Sequence, residues 1–450
     1  MAENAFNGTA RSIGPWPSRT EDIPSGDRRR PWIHVTLQGP DDGGDFGPNT
    51  PGTHTSGLQE ALDYAHENHR DVFVHGGRGG MHDGVISTDN IYILHETLHI
   101  PWSQDFCLYG GNAIWAYREE TGDAIIIDSQ MNCRYKLGLI VSESDGAAVR
   151  IRPHSPGPDD FTLITASVFD FSAVVSKHPR GAGIVLDSTE GPILHSRIFA
   201  EEANTRGRGV YLTGVGLVED NKARPVPSYR SSPKSISCNE IVVMYNQQQH
   251  ASGKCTNLWI GDPGADYIRY NHFYMHLYAP RGSYFDEKVR RWTLPEEYAP
   301  HEEAVGARIF GQDNVLSLSF HNKRSRGNDL IFETDARDNI VHVFNLPNGV
   351  TNRARVPTNR IIPNSLLGFD LTTPPVPPSG SKTTNVTSSP VEVYILKPGR
   401  VSEWSIGDPH GNDQAFSAEL MLGQTFRLEP GERIGFIYSE APAWRWKAST

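Results

Sequence analysis

The chain has 450 residues, and its 53 acidic side chains outnumber its 42 basic ones to give a formal net charge of −11. This excess of negative charge argues against nucleic acid and anionic membranes as partners. The 43 glycines and 32 prolines are typical of a turn-rich, all-β protein, and no apolar run approaches the ~20 residues that cross a bilayer.

The N-terminal segment, residues 1–30, is polar and rich in Pro, Gly and Arg. This composition predicts an arm that has no structure of its own. The segment has neither the basic region nor the apolar stretch of a secretory signal. We therefore expect a cytoplasmic protein or the mature form of a secreted one.

One clear helix precedes the strands. Its apolar period predicts a helix from about Ser56 to His69, with Ser56 as the N-cap. We expect this helix to cover the open end of a stack of strands, which would otherwise be exposed to edge pairing. The apolar face of the helix consists of Leu58, Ala61, Leu62 and Ala65.

Between residues 183 and 344 the chain repeats one short pattern: an apolar strand, a polar turn and a second strand. Each copy is too short to bury its own apolar face, so neighbouring copies must stack. Short strands that end in Gly, Asn or Asp, with no helical period between them, predict a solenoid of β-coils. The five copies are 183–188 with 193–198, 209–214 with 236–241, 257–262 with 268–273, 307–312 with 315–320, and 329–334 with 340–344.

Two insertions, at 215–235 and 279–304, interrupt the repeats, and loops of this length are typical of binding sites or subunit contacts. A Pro/Ser/Thr-rich linker follows the solenoid. The last segment contains three predicted strands of a small antiparallel β module, which we expect to mediate assembly into a homotrimer. The predicted domains are an arm (1–30), a solenoid (31–371), a linker (372–390) and a C-terminal module (391–450).

The four cysteines are too scattered for a disulfide scaffold. Cys107 and Cys133 stand about one coil apart, which leaves a stacked disulfide or two buried thiols as alternatives, and we favour the thiols. No metal-ligand spacing and no nucleotide-binding fingerprint occurs in the sequence. We therefore expect neither a metal nor a cofactor.

The N-terminal part of the predicted solenoid contains a strand end, a helix and a second strand in a characteristic order. The Asp-Phe-Gly of 45–47 ends a strand, the helix contains Leu-Gln-Glu-Ala-Leu at 58–62, and a strand then leads into the Gly pair at 76–77. Asn239 and Asn271 occupy turn positions of the later repeats. Together these features resemble the pectate-lyase-like superfamily of right-handed parallel β-helix proteins.

The resemblance covers about residues 31–370. It implies an all-β, right-handed parallel β-helix with the helix as its N-terminal cap and the small β module at its C-terminal end. Superfamily members include polysaccharide lyases, glycoside hydrolases, fructotransferase-like enzymes, epimerases and phage tailspikes. The active-site patterns of pectate lyases and polygalacturonases are absent from this sequence, so function is argued from the stacked positions of the repeats.

Alignment of the first strands predicts one outward row on successive coils. Alternate side chains of a strand point outwards, and stacked strands lie ~4.8 Å apart. The row contains Tyr211, Trp259 and Arg308 between Val185 and Ile331. Two aromatic rings and a guanidinium predict a shelf that holds sugar rings. Surface aromatics beneath the insertion at 279–304, or a subunit interface, are equally open interpretations.

The same alignment places two carboxylates, Asp262 and Glu333, two coils apart. The expected separation of roughly 9–10 Å lies near the upper end of the range for inverting glycosidases. The alternative is that Asp262, which stands before Pro263 and Gly264, only shapes its turn.

Alignment of the second strands places Arg197, Glu240 and His272 in another outward row. Ionisable groups at ~4.8 Å spacing influence one another's protonation, which makes Glu240 a candidate acid or base. The alternative is a surface salt ladder, which contributes little to stability. Arg269 and Tyr270 lie beside this row, and Trp292 belongs to the second insertion.

We therefore expect a carbohydrate-active enzyme that cleaves or rearranges glycosidic bonds of an oligo- or polysaccharide by paired carboxylates. One alternative is a polysaccharide lyase acting on a uronate polymer, and another is a tailspike- or adhesin-like protein that binds glycans without cleaving them. The candidate catalytic residues are Glu240, Asp262, Glu333, His272 and Arg197. The candidate substrate-binding residues are Trp259, Tyr211, Arg308, Arg269, Tyr270 and Trp292. In the lyase alternative, Arg197, Arg269, His272 or Tyr270 neutralises the uronate and moves the proton.

Overall fold

The structure is a computed structural model, and it describes most of the solenoid and the C-terminal module. The predicted N-terminal arm and most of both insertions lie outside the described residues. The described residues are 32–76, 81–82, 85–86, 91–154, 162–214, 235–248, 255–278, 284–286, 291–293, 301–321, 326–344, 346, 349–363, 373–387, 390–408 and 411–448.

Three parallel sheets form the solenoid, and within each sheet the strands stack in chain order. This arrangement confirms the prediction of an all-β, solenoid-like protein built from short stacked strands. Sheet A is the twelve-stranded sheet, made of Trp32–Val35, Asp71–Val74, Ile91–Leu94, Cys107–Tyr117, Arg134–Ser142, Val168–Ser176, Arg197–Thr205, Glu240–Gln248, His272–Tyr278, Val315–His321, Ile340–Val343 and Arg360–Pro363.

The two other sheets complete the coils. Along the chain, a coil passes from a strand of sheet C to one of sheet A and then to one of sheet B. Sheet B has nine strands, Leu98–Ile100, Ile125–Ile127, Ala147–Ile151, Ala182–Asp187, Arg208–Thr213, Thr256–Ile260, His301–Ile309, Arg326–Phe332 and Val350–Asn352. Sheet C has six, Ser103–Gln104, Gln130–Met131, Ile164–Thr165, Ile193–Leu194, Ile236–Ser237 and Ile268–Arg269.

Alternation of side chains along each strand builds the core. In the strand Thr256–Ile260, Leu258 and Ile260 are completely buried whereas Trp259 between them is only partly buried. Equivalent apolar residues of every coil join one continuous core that runs from Ile33 to Ile361. A short strand gains its stability from this stacking, because it cannot cover its own apolar side chains.

The chain enters each strand of sheet A from Cys107–Tyr117 to Ile340–Val343 through one residue with a left-handed backbone. This conformation is uncommon for residues other than glycine, and its recurrence once per coil shows that the bend has the same geometry throughout the solenoid. The residues are Asp105, Asn132, Ala166, His195, Cys238, Tyr270, Asp313 and Asp338, with φ between 48° and 60°.

From Asn132 onwards, the residue immediately after each bend belongs to a buried hydrogen-bonded ladder, here called the asparagine ladder, and Asn359 extends it by one position. Its side-chain amides donate from one coil to the next over 3.0, 3.0, 3.1 and 2.8 Å. Ser and Cys hold the same position in the earlier coils, where they accept a backbone N–H. The ladder consists of Cys133, Ser167, Ser196, Asn239, Asn271, Asn314, Asn339 and Asn359.

The helix, Leu58–Glu67, is shorter than predicted. Ser56 is not its N-cap, because Gly57 occupies that position and makes no side-chain cap. The Ser56 hydroxyl instead donates to the carbonyl of Ile93 at 2.8 Å. The predicted apolar face is buried and packs against the first strands of sheets A and B. It consists of Leu58, Ala61, Leu62 and Ala65.

The C-terminal module is antiparallel, as its strand pattern predicts, but it begins earlier than predicted. Lys382–Thr384, which falls within the predicted linker, pairs with Arg433–Glu440. The module has a separate apolar core that includes Phe426 and Trp446. Its four-stranded sheet contains Lys382–Thr384, Arg433–Glu440, Arg400–Gly407 and Asp413–Phe416, and its three-stranded sheet contains Thr425–Leu428, Val391–Lys397 and Ala443–Ala448.

Minor elements complete the described chain. A 3₁₀ helix spans Gly39–Asp42, and two small antiparallel pairs join Met81–His82 to Val85–Ile86 and Tyr284–Asp286 to Arg291–Thr293. All four cysteines are free thiols. Among the described residues, no helix has the length and apolar character needed to cross a membrane.

Candidate functional site

The outer face of sheet B carries the predicted aromatic and cationic row. Strand pairing places Tyr211 opposite Trp259 and Trp259 opposite Arg308, with Val185 and Ile331 at the two ends, as the alignment of the repeats predicts. The two end residues are buried, whereas the three central ones are partly exposed. The row therefore presents two rings and one guanidinium on three adjacent coils.

Guanidinium groups lie over the aromatic rings of this row. The Cζ atoms of Arg208 and Arg308 lie 4.5 and 4.9 Å from the ring centre of Trp259. Arg208 also lies 4.2 Å from the ring centre of Tyr211. At these distances the cations are attracted by the ring electrons. The shelf is therefore as much cationic as aromatic, and Arg208 is a member that the repeat alignment does not single out.

The carboxylate of Asp262 is fixed by two hydroxyl groups of the preceding coil. The hydroxyl of Tyr211 donates to both of its oxygens, at 2.9 and 2.8 Å, and Thr213 donates to one of them at 2.7 Å. Asp262 also begins a turn, because its carbonyl accepts from the N–H of Ala265 at 3.0 Å. Asp262 thus has the predicted turn role, and its side chain in addition reaches back towards Thr213.

Glu333 lies in a different environment, between two arginines. The residue is 6% exposed, and its carboxylate accepts from Arg308 at 3.0 Å and from Arg353 at 3.1 Å. Burial lowers the pKa of Arg308; Glu333 opposes this shift, and the neighbouring Arg353 and Arg208 add to it. No described contact joins Glu333 to Asp262. Glu333 pairs with arginines of the preceding and the following coil, whereas Asp262 accepts from hydroxyls of the preceding coil.

A second carboxylate on this part of sheet B belongs to Asp187, which is not among the candidate residues predicted from the sequence. Asp187 pairs in register with Thr213, the residue that holds Asp262. Arg150 donates to the Asp187 carboxylate at 2.8 Å, and Thr189 donates to it from its backbone at 3.1 Å. The sequence does contain a signal, because Asp187 and Thr213 are the fifth residues of two successive copies of the repeat, 183–188 and 209–214. It does not indicate the direction of the Asp262 side chain.

Two tyrosines, Tyr211 and Tyr267, lie close enough to the aspartates for the carboxylates to influence their pKa values. Burial raises the pKa of Tyr211 to about 12, and the adjacent Asp262 adds to the effect. Burial likewise raises the pKa of Tyr267, with further contributions from Asp262, Tyr211 and Asp187. Both phenols therefore stay protonated at neutral pH. Here the name "acidic cluster" denotes Asp187, Tyr211, Thr213, Asp262 and Tyr267.

The second predicted row lies on the outer face of sheet A. Arg197 pairs with Glu240 and Glu240 with His272, as predicted. The guanidinium of Arg197 lies 3.2 Å from the Glu240 carboxylate, with both side chains more than half exposed. An ion pair this exposed is worth little energy. The geometry therefore matches the surface salt ladder rather than a shielded catalytic acid.

The remaining candidates do not join the acidic cluster. Tyr270 is one of the left-handed bend residues and is 51% exposed, and the Arg269 guanidinium lies 5.5 Å from its ring centre. Both residues border the junction of sheets C and A. Trp292 belongs to the short strand Arg291–Thr293, but its side chain lies outside the described part of the chain.

Comparison with known proteins adds no family assignment: no protein-family model and no curated protein matches this chain.

Proposed function

We propose that this chain is a carbohydrate-active enzyme that cleaves or rearranges a glycosidic bond on the outer face of sheet B. The observation that carries the proposal is the position of Asp262, whose carboxylate rests on Thr213, the register partner of Asp187. The carboxylate pair of the proposal is thus Asp187 and Asp262, in place of the predicted pair of Asp262 and Glu333.

The expected spacing suits this chemistry. Asp262 follows a strand two spacings from that of Asp187, but its carboxylate reaches Thr213, whose strand lies only one spacing, ~4.8 Å, from the strand of Asp187. Retaining glycosidases place their two carboxyl groups ~5–5.5 Å apart. In such enzymes one carboxyl group protonates the leaving oxygen while the other attacks the sugar. Arg150 orients Asp187, and Tyr211 orients Asp262.

The shelf beside the pair provides the substrate contacts. Trp259 lies on the same coil as Asp262, and Arg208 and Arg308 lie on the two adjacent coils. Together they combine apolar ring surface with hydrogen-bond donors. A sugar has both apolar C–H faces and hydroxyl groups, so a mixed surface of this kind fits it. The buried Nε of Arg308 has no hydrogen-bond partner among the described residues, which leaves a donor for a ligand.

The test is incubation with neutral and acidic glycans, with released products identified by mass spectrometry. We expect Asp262→Asn and Asp187→Asn each to lower the rate by about 10²-fold or more, as for loss of an acid–base group. Glu240→Gln, which alters only the exposed ion pair on sheet A, serves as the control and keeps full activity. If Glu240→Gln lost activity while both aspartate variants retained it, the active site would lie on sheet A and the proposal would be wrong.

A second candidate is a polysaccharide lyase that acts on a uronate polymer. The grouping of Arg208, Arg308 and Arg353 around Trp259 and Glu333 favours it, because guanidinium groups suit carboxylate ligands. A lyase leaves an unsaturated product that absorbs ultraviolet light, which separates it from a hydrolase. Tight binding of an intact glycan with no product would favour the binding-protein alternative.

Two further expectations belong to this proposal. The coils are right-handed, because parallel strands joined by crossovers have that hand in nearly all known cases. The chain assembles as a homotrimer through its C-terminal module. Light scattering of the full chain tests the second expectation, and a mass of one chain would overturn it.

A further inference from the structure

A group of histidine and tyrosine side chains lies on the outer face of sheet A, on two adjacent coils. Strand pairing places His276 opposite Ser319 and Tyr278 opposite His321. His276 and His321 are therefore diagonal neighbours on one face of the sheet. This group, with Tyr274, is separate from the acidic cluster, which lies on sheet B and its adjoining turns, and the proposed function does not use it.

The two imidazoles face each other through ring nitrogens. Nδ1 of His276 lies 3.3 Å from Nε2 of His321, and the ring centres are 5.5 Å apart. Zinc binds imidazole nitrogen at ~2.0–2.1 Å, so two nitrogens on one tetrahedral ion lie ~3.3–3.4 Å apart. The observed separation is the one that a shared metal ion requires.

The surroundings orient the two rings. The hydroxyl of Tyr274 lies 3.3 Å from Nε2 of His276, the nitrogen opposite to the one that faces His321. A metal-bound histidine usually donates its other ring N–H to such an oxygen, which fixes its tautomer. Tyr278 stacks on the ring of His321 with 4.4 Å between centres and 9° between planes. The hydroxyl of Ser319 lies 3.0 Å from the facing nitrogen of His321, so an ion bound to this nitrogen replaces the serine contact.

We propose that His276 and His321 form a binding site for a divalent transition-metal ion. Within the described ranges, no group of three or more His, Cys, Asp or Glu side chains is placed to share a metal, so this site has two imidazole ligands. The other coordination positions remain for water or for an added ligand. Imidazole ligands suit copper, nickel and zinc, with copper(II) bound most tightly of the three.

The test is titration of the full chain with zinc and with copper(II) by calorimetry, followed by metal analysis after gel filtration. We expect one ion per chain on the native protein, and at least tenfold weaker binding in His276→Gln and in His321→Gln. Tyr274→Phe removes only the orienting hydroxyl and is expected to weaken binding by about tenfold, the lower end of the usual effect of such partners.

Two histidine variants serve as controls. His272→Gln changes an exposed histidine on the same strand and leaves binding intact. His34→Gln removes one member of another facing pair, in which His34 Nδ1 lies 2.8 Å from His75 Nε2, shorter than one tetrahedral ion requires. Equal binding by native protein and His276→Gln, or loss of the ion in His34→Gln alone, would overturn the proposal. Circular dichroism melting of each variant shows that it is folded.

Discussion

At the scale of single residues, surroundings separate carboxylates that look alike in the sequence. Asp262 and Glu333 both follow a sheet B strand, but Asp262 accepts from two hydroxyls whereas Glu333 lies between two arginines. Strand register predicts where their backbones lie. It does not predict which way a side chain points after a strand. The Asp262 side chain points towards Thr213, the register partner of Asp187.

Tyr211 provides a test of this environment that does not depend on activity. Its pKa is raised to about 12, mainly by burial. Because the folded pKa lies above the unfolded value of ~10, folding favours the protonated phenol. This contribution to stability is complete below pH ~10 and is lost as the pH rises towards ~12. The difference in phenolate absorbance between native protein and Tyr211→Phe should therefore show one tyrosine that titrates near pH 12.

The unfolded chain is the control for this titration. In strong denaturant, the tyrosine missing from Tyr211→Phe should titrate near pH ~10. A native difference curve with its midpoint also near pH 10 would show that Tyr211 is open to solvent and that the contact with Asp262 is absent.

At the scale of structural elements, the asparagine ladder accounts for the recurrence of the bends. Asn239 and Asn271 are recognisable in the sequence as repeated turn residues, and the structure places both in the ladder. The positions held by Cys133 and Ser196 carry no such signal, because thiols and hydroxyls occur in turns of many kinds. The sequence thus indicates that Asn239 and Asn271 are turn residues, but the hydrogen-bonded ladder and its other members are seen only in the structure.

Removal of one internal ladder amide should destabilise the solenoid. In Asn314→Ala, the backbone N–H and the side-chain amide of Asn271 lose their acceptor, and the side-chain oxygen of Asn339 loses a donor. Buried groups without partners cost ~1–3 kcal/mol each, so we expect a loss of about 2–4 kcal/mol in urea unfolding. Asn412→Ala, in an exposed turn of the C-terminal module, is the matched control. Equal stability of the two variants would show that the ladder is not a stabilising feature.

At the scale of the whole molecule, the sequence predicts the type of fold better than it predicts the boundaries between the solenoid, the linker and the C-terminal module. The period-two strands from Gly183 onwards predict parallel stacking, because every copy has the same apolar positions. The strand Lys382–Thr384 falls within the predicted linker, since its residues are polar and its partner, Arg433–Glu440, is distant along the chain. Such pairing depends on tertiary structure that a local pattern does not contain.

Two separate apolar cores divide the chain into two units that should unfold separately. One core runs along the solenoid and includes Leu258, and the other lies in the C-terminal module and includes Phe426. We expect two transitions in calorimetry of the full chain. Large-to-small core substitutions cost ~2–5 kcal/mol, so Leu258→Ala should lower only the solenoid transition and Phe426→Ala only that of the module. A single transition lowered by both variants would mean that the two cores fold as one cooperative unit.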